Sequence, residues 1–244
     1  MKKYLISCAI IFLGVNTSRA EDVIYDGYEA YYATFPNLIF NKAEKLEAEM
    51  VTWEQDIKPG INPAESDAEL RFSWTGLVAG KEHFISVGDD TILVDGHALL
   101  FRPVIKFPDD VEPSYQPLGK GPVLYTGNTS YICLEGNNSN GRTGDRYTSV
   151  YLFDVEHLTP PVLYKLPSLF ASCLNIRLDA RKNFVFDKAS YRYKLNSEQL
   201  EGLNLIEYFM KDKRFISTGN KVVTKFIESE NVFKFSIFWS GKAR

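Results

Sequence analysis

From Phe84 to Trp239 short apolar runs alternate with turn residues: FISV, then GDD, then TILV, then DG, then HALLF. Runs of four to eight β-branched and aromatic residues between Gly, Asn and Asp clusters predict antiparallel hairpins, and Asp95-Gly96 suits a two-residue turn with positive φ. VLYT-GN-TSYICLE, TSVYLFDVEHLTPPVLYKL, LNIRL-DARKN-FVFDKASYRYKL, RFIST-GN-KVVTKFI and NVFKFSIFW continue the pattern. The predicted fold is mainly β, with consecutive antiparallel hairpins forming a stacked or propeller-like meander and one or two short helices.

Three segments carry helical spacing instead. In NKAEKLEAEMVTWEQDI, Leu46, Met50, Trp53 and Ile57 recur at four, three and four, with Asn41 as N-cap, Glu44 at N3 and a stop at Pro59-Gly60. A strand pair turning near Asn41-Lys42 is the competing reading. SEQLEGLNLIEYF, from Ser197 to Phe209, suits a second short helix. Upstream, Tyr25, Tyr28, Tyr32 and Phe35 form a helix-like aromatic stripe ended by Pro36, which fits a core face or, alternatively, a partner contact. Residues 58–69 and 107–122 read as polar surface connections.

Asp179-Ala180-Arg181-Lys182-Asn183-Phe184 and Asp212-Lys213-Arg214-Phe215 begin two similar stretches, the second leading through a strand to Gly219-Asn220 and a return strand; Lys81-Glu82-His83-Phe84 is a fainter third. This pattern resembles the DKNYY-type bacterial repeat family, mainly in the C-terminal third. The resemblance implies stacked hairpins and carries no chemistry or ligand set with it.

The N-terminus changes the setting. Lys2 and Lys3 precede an apolar run from Tyr4 to Val15, followed by Ser18-Arg19-Ala20, as in a secretory signal peptide cleaved after Ala20. Residues 21–244 would then form one mainly-β domain in the periplasm or outside the cell. The apolar run is too short for a permanent span, and no later stretch reaches 18 uninterrupted apolar residues. With 28 basic and 31 acidic residues the chain is already acidic; loss of Lys2, Lys3 and Arg19 moves its net charge from −3 to −6, which disfavours nucleic acid.

Cys8 would leave with the signal. Cys133 and Cys173 remain, and an exported pair predicts a disulfide contributing up to about 4 kcal/mol. Strand alternation places Cys133 with Tyr131 and Glu135, and Cys173 with Asn175 and Arg177, so both thiols are predicted on polar faces.

Known catalytic patterns do not fit. His83, His97 and His157 have no zinc spacing, Asp154, Glu156 and His157 read as a solvated strand end, and the nucleophile elbow, P-loop and dinucleotide fingerprint are missing. In EGNNSNGRTGDR an EF-hand would need ligands at Gly136 and Tyr147, which lack the required side-chain oxygens. No cofactor or metal ligand is therefore assigned. The leading expectation is a non-enzymatic binding protein, such as an immunity or inhibitor protein blocking a toxin or envelope enzyme. Its candidate contacts are Arg142, Asp145 and Arg146 on a Gly-hinged loop, with Tyr25, Tyr28 and Tyr32 as the second choice. The rival is an exported hydrolase or carbohydrate-active protein using distant carboxylates such as Asp89, Asp90, Asp109 and Asp110.

Overall fold

The computed structural model describes residues 23–51, 69–88, 91–101, 105–107, 121–137 and 146–242. The predicted signal segment, Trp53, Ile57, Pro59-Gly60 and most of the two predicted connections lie outside the described residues. In chain order the elements are β1 (Ile24–Asp26), α1 (Tyr28–Tyr32), β2 (Phe40–Lys45) and β3 (Glu47–Val51). A first run of hairpins follows in β4 (Glu69–Val78), β5 (Lys81–Val87), β6 (Thr91–Val94) and β7 (His97–Leu100). Next come β8 (Val123–Gly127), β9 (Tyr131–Asn137), β10 (Thr148–Asp154) and β11 (Leu163–Leu166). The last group is β12 (Arg177–Leu178), β13 (Phe184–Tyr193), β14 (Leu200–Lys211), β15 (Arg214–Glu228) and β16 (Asn231–Lys242).

The chain is mainly β, with antiparallel hairpins in sequence and, among the described residues, helix confined to short pieces. Among the described residues three sheets form, in the orders β3-β4-β5-β6-β7, β11-β10-β9-β8-β2 and β1-β16-β15-β14-β13-β12. Turn chemistry explains much of this. Ala79-Gly80, Asp95-Gly96 and Asp212-Lys213 place both central residues at positive φ, the geometry whose twist matches that of the flanking strands.

The sheets stack through three apolar layers. Ile85, Val87, Ile92 and Val94 of the first sheet pack with Leu124, Ile132, Leu134 and Phe153 of the second. On the second sheet's other face, Cys133, Val150, Leu152 and Leu166 meet Phe186 and Met210 of the third. Leu203, Leu205 and Phe235 then face α1 through Tyr28, Tyr31 and Tyr32. Strand β9 is thus buried on both sides: successive residues Ile132, Cys133 and Leu134 are all 0% exposed. No helix among the described residues is long and apolar enough to cross a membrane.

The predicted helix over 41–57 is instead β2 and β3 as far as it is described. Its helix-forming Lys, Ala and Glu residues yield to pairing with β8 and β4, and the chain passes between sheets at the buried Leu46 rather than turning near Asn41-Lys42. The indole N–H of Trp74 on β4 donates to Glu44 on β2, tying the two sheets together. The predicted helix over 197–209 is also strand, β14: Leu203 and Leu205 enter one core while Tyr208 and Met210 approach the other. Gly202 permits the close approach of β15, since a Cβ there would lie 2.0 Å from the Thr224 carbonyl oxygen. A further correction concerns Gly219-Asn220, which does not end a hairpin. It lies inside the 15-residue strand β15, where the register with β14 shifts between Ile206 and Tyr208.

Candidate functional site

Cys133 and Cys173 form the predicted disulfide, with Cα atoms 5.8 Å apart. Both are wholly buried, correcting the expected polar faces. Cys173 begins a 3-10 turn, Cys173–Asn175, rather than a strand, and the face shared by Cys133 and Glu135 packs on a second core rather than meeting water. Glu135 accepts hydrogen bonds from the Ser172 hydroxyl at 2.7 Å, from the Cys173 backbone N–H and from Tyr125 at 3.3 Å. Burial pushes its carboxyl above the ordinary range despite these donors.

The aromatic stripe belongs to the core. Tyr28 donates to the Val232 carbonyl and Tyr32 to the Phe170 carbonyl, each at 2.9 Å, and burial raises both phenols. Their rings pin α1 to the third sheet and present no partner surface; Tyr25, half-buried on β1, stacks on Phe235 at 5.5 Å. Arg142 and Asp145 lie outside the described residues, as do Asp89, Asp90, Asp109 and Asp110. Arg146 is half-buried: its carbonyl accepts from Phe170 N–H at 2.7 Å and its side chain hydrogen-bonds Tyr191.

His157 and Asp154 meet at 2.7 Å in an exposed position, as their predicted strand-end location requires. Sequence reading missed a second histidine pair. His83 is buried, with Nδ1 2.7 Å from Asp95 Oδ2, while Asp95 Oδ1 accepts the Phe84 N–H at 2.9 Å. Burial opposes ionisation of Asp95, but the Phe84 N–H and His83 prevail and hold it below the usual range. The pair braces the β5–β6 hairpin. Its Nε2 has no hydrogen-bond partner among the described residues.

The strongest concentration of polar chemistry lies where the third sheet meets α1. Asp187 and Glu207 are direct partners across β13 and β14, on one face. Arg177 on β12 places one guanidinium nitrogen 2.9 Å from Asp187 and 2.6 Å from Glu207, while its guanidinium lies 4.2 Å from the centre of the Phe35 ring. Asn175 locks the floor by donating to the Asp187 carbonyl at 2.8 Å and accepting the Asp187 N–H at 2.9 Å. Burial acts against the Arg177 charge, but Asp187 and then Glu207 outweigh it and raise its pKa. One guanidinium cannot neutralise two acids. Burial, aided by Glu207 and opposed by Arg177, pushes Asp187 upward.

The register shift completes this arrangement. Between the pairs Ile206–Lys221 and Tyr208–Ser217, the single residue Glu207 faces Thr218-Gly219-Asn220, with Gly219 at φ 78°. Glycine accommodates that left-handed conformation, and the extra residues of the bulge re-aim side chains. Thr218 Oγ1 and Asn220 Nδ2 consequently donate to Glu207 Oε1 at 2.8 and 2.7 Å. The result is a recess of about 280 Å³, walled by Tyr31, Phe35 and Leu205, floored by Arg177, Asp187 and Glu207, and edged by Lys221 and Lys242.

Comparison with known proteins found no matching family model, curated protein or solved structure.

Proposed function

We propose that this is an exported, non-catalytic binding protein that blocks a toxin or envelope enzyme in the periplasm through the outer face of its first sheet. The carrying observation is an apolar diagonal on that face. Leu77 on β4, Phe84 on β5, Leu93 on β6 and Leu100 on β7 follow one another at diagonal positions of the register. Leu77 is 68%, Phe84 46% and Leu100 54% exposed, and Leu93 is half-buried. A contiguous apolar stripe on a sheet already packed on its other face is a protein-contact feature. Glu82 lies directly across from Leu77, and the chain is acidic overall, so the fitting partner is a protein with an apolar patch edged by Lys or Arg.

The recess supports the same class of function. Hydrolysis by paired carboxylates needs one protonated acid and one available base or nucleophile. Here Asp187 and Glu207 are held by the same guanidinium nitrogen, and Glu207 also receives Thr218 and Asn220.

Affinity capture from periplasmic extract, run in parallel with wild type and Phe84→Asp/Leu100→Asp, tests this proposal. It predicts a basic protein retained by wild type and lost with the double variant. That protein, once purified, should bind wild type at least about tenfold more tightly, since central apolar anchors commonly contribute 1–2 kcal/mol or more. Equal binding to both forms would refute the surface. Self-association lost in the variant would make the stripe a dimer interface and overturn the blocking role.

A further inference from the structure

We propose that the recess beside Glu207 is a second binding site, separate from the partner face, for a small zwitterionic amine of amino-acid or dipeptide size. Its ammonium group would sit on the Asp187–Glu207 pair and its carboxylate on Lys242. The basis is a row of side-chain positions running across five strands of the third sheet: Arg177, Asp187, Glu207, Asn220 and Lys242. Asp187 pairs with Glu207, Glu207 accepts from Asn220, and Asn220 is the register partner of Lys242. The row has positive ends and a doubly acidic centre.

That centre retains unused acceptor capacity. A carboxylate offers about four lone-pair directions. Among the described residues Glu207 uses three, for Arg177, Thr218 and Asn220, whereas Asp187 uses one, for Arg177. Asp187 and Glu207 share one guanidinium nitrogen, so an ammonium group supplies further donors and a second cation to the pair. Lys242 at the edge then opposes a purely cationic ligand and favours one carrying an anion at its outer end. Adjacent strands lie about 4.8 Å apart, which puts the Glu207 and Lys242 backbones about 10 Å apart before the long Lys242 side chain reaches back. A dipeptide fits both this span and the recess volume of about 280 Å³.

The bulge is the independent structural support. An uninterrupted strand at 218–220 would not direct two donors from β15 onto Glu207 Oε1, and bulges of this kind are used to re-aim side chains beside sites.

Calorimetric titration of the purified protein with L-alanyl-L-alanine, N-acetyl-L-alanine, L-alaninamide and D-glucose tests the proposal. The dipeptide should bind, N-acetylalanine should lose more than about tenfold with its ammonium, and alaninamide should bind several-fold more weakly. Lys242 is exposed, so Lys242→Met leaves the fold intact and should weaken the dipeptide severalfold while alaninamide binds as well or more tightly; Glu207→Gln should weaken both amines. Absence of dipeptide heat at millimolar concentration, equal binding of N-acetylalanine or glucose, or an unchanged dipeptide affinity in Lys242→Met would each overturn the assignment. Because the partner face lies on another sheet, loss of dipeptide binding with partner binding intact refutes this site alone.

Discussion

At Arg177 one guanidinium nitrogen serves two carboxylates, so this residue controls the charge of the entire recess floor. Removing it leaves Asp187 and Glu207 buried without their cation. Arg177→Met should lower unfolding stability by about 3–5 kcal/mol, read from the urea midpoint, and Arg177→Lys should recover only part because an ammonium lacks the planar fork that also lies against Phe35. A different sign applies at Glu135. Its carboxyl is raised by burial, so the folded state holds the proton to higher pH than the unfolded chain does, and this group's contribution falls as pH rises from about 4.3 through the folded value. Glu135→Gln should therefore flatten the decline of stability over that window and raise stability at neutral pH. A mutant that is less stable at pH 7, with an unchanged pH profile, would contradict the burial account.

Among the elements, the disulfide and the bulge set the site from opposite sides. Cys173 starts the turn that carries Asn175 and delivers Arg177 to β12, so the bridge to β9 anchors the floor through the covalent chain. Cys173→Ser should lower stability by about 2–5 kcal/mol, measured by denaturant titration under non-reducing conditions. Gly219→Ala places a Cβ on a left-handed residue and should cost about 1 kcal/mol. Hairpins with short turns were legible in the sequence because two residues such as Asp95-Gly96 specify them locally. Asn41–Val51 and Leu200–Phe209 were misread because their helical residue preferences are overridden by pairing to distant strands. The cysteine pairing was legible, whereas its burial was not: alternation assumes one wet face, and β9 has none. Arg177, Asp187 and Glu207 escaped notice because their 30-residue spread becomes a cluster only through the β12–β13–β14 register.

On the scale of the molecule, three stacked sheets bury their apolar residues in successive layers, leaving the outer surface of the first sheet to display Leu77, Phe84, Leu93 and Leu100. Packing already employs the aromatic stripe of α1, and the proposed partner surface therefore lies at the opposite end of the stack from the tyrosines. Replacement of the exposed Phe84 and Leu100 by Asp should leave the urea midpoint nearly unchanged, within about 1 kcal/mol, because their side chains face outward. Hydrogen exchange of the protein alone and saturated with its captured partner is the most direct measure of the binding account. Slowed amide exchange concentrated in β4 to β7, lost when Phe84→Asp/Leu100→Asp is used, is the expected result. Protection confined to β12–β16, or the same protection in the double variant, would contradict it.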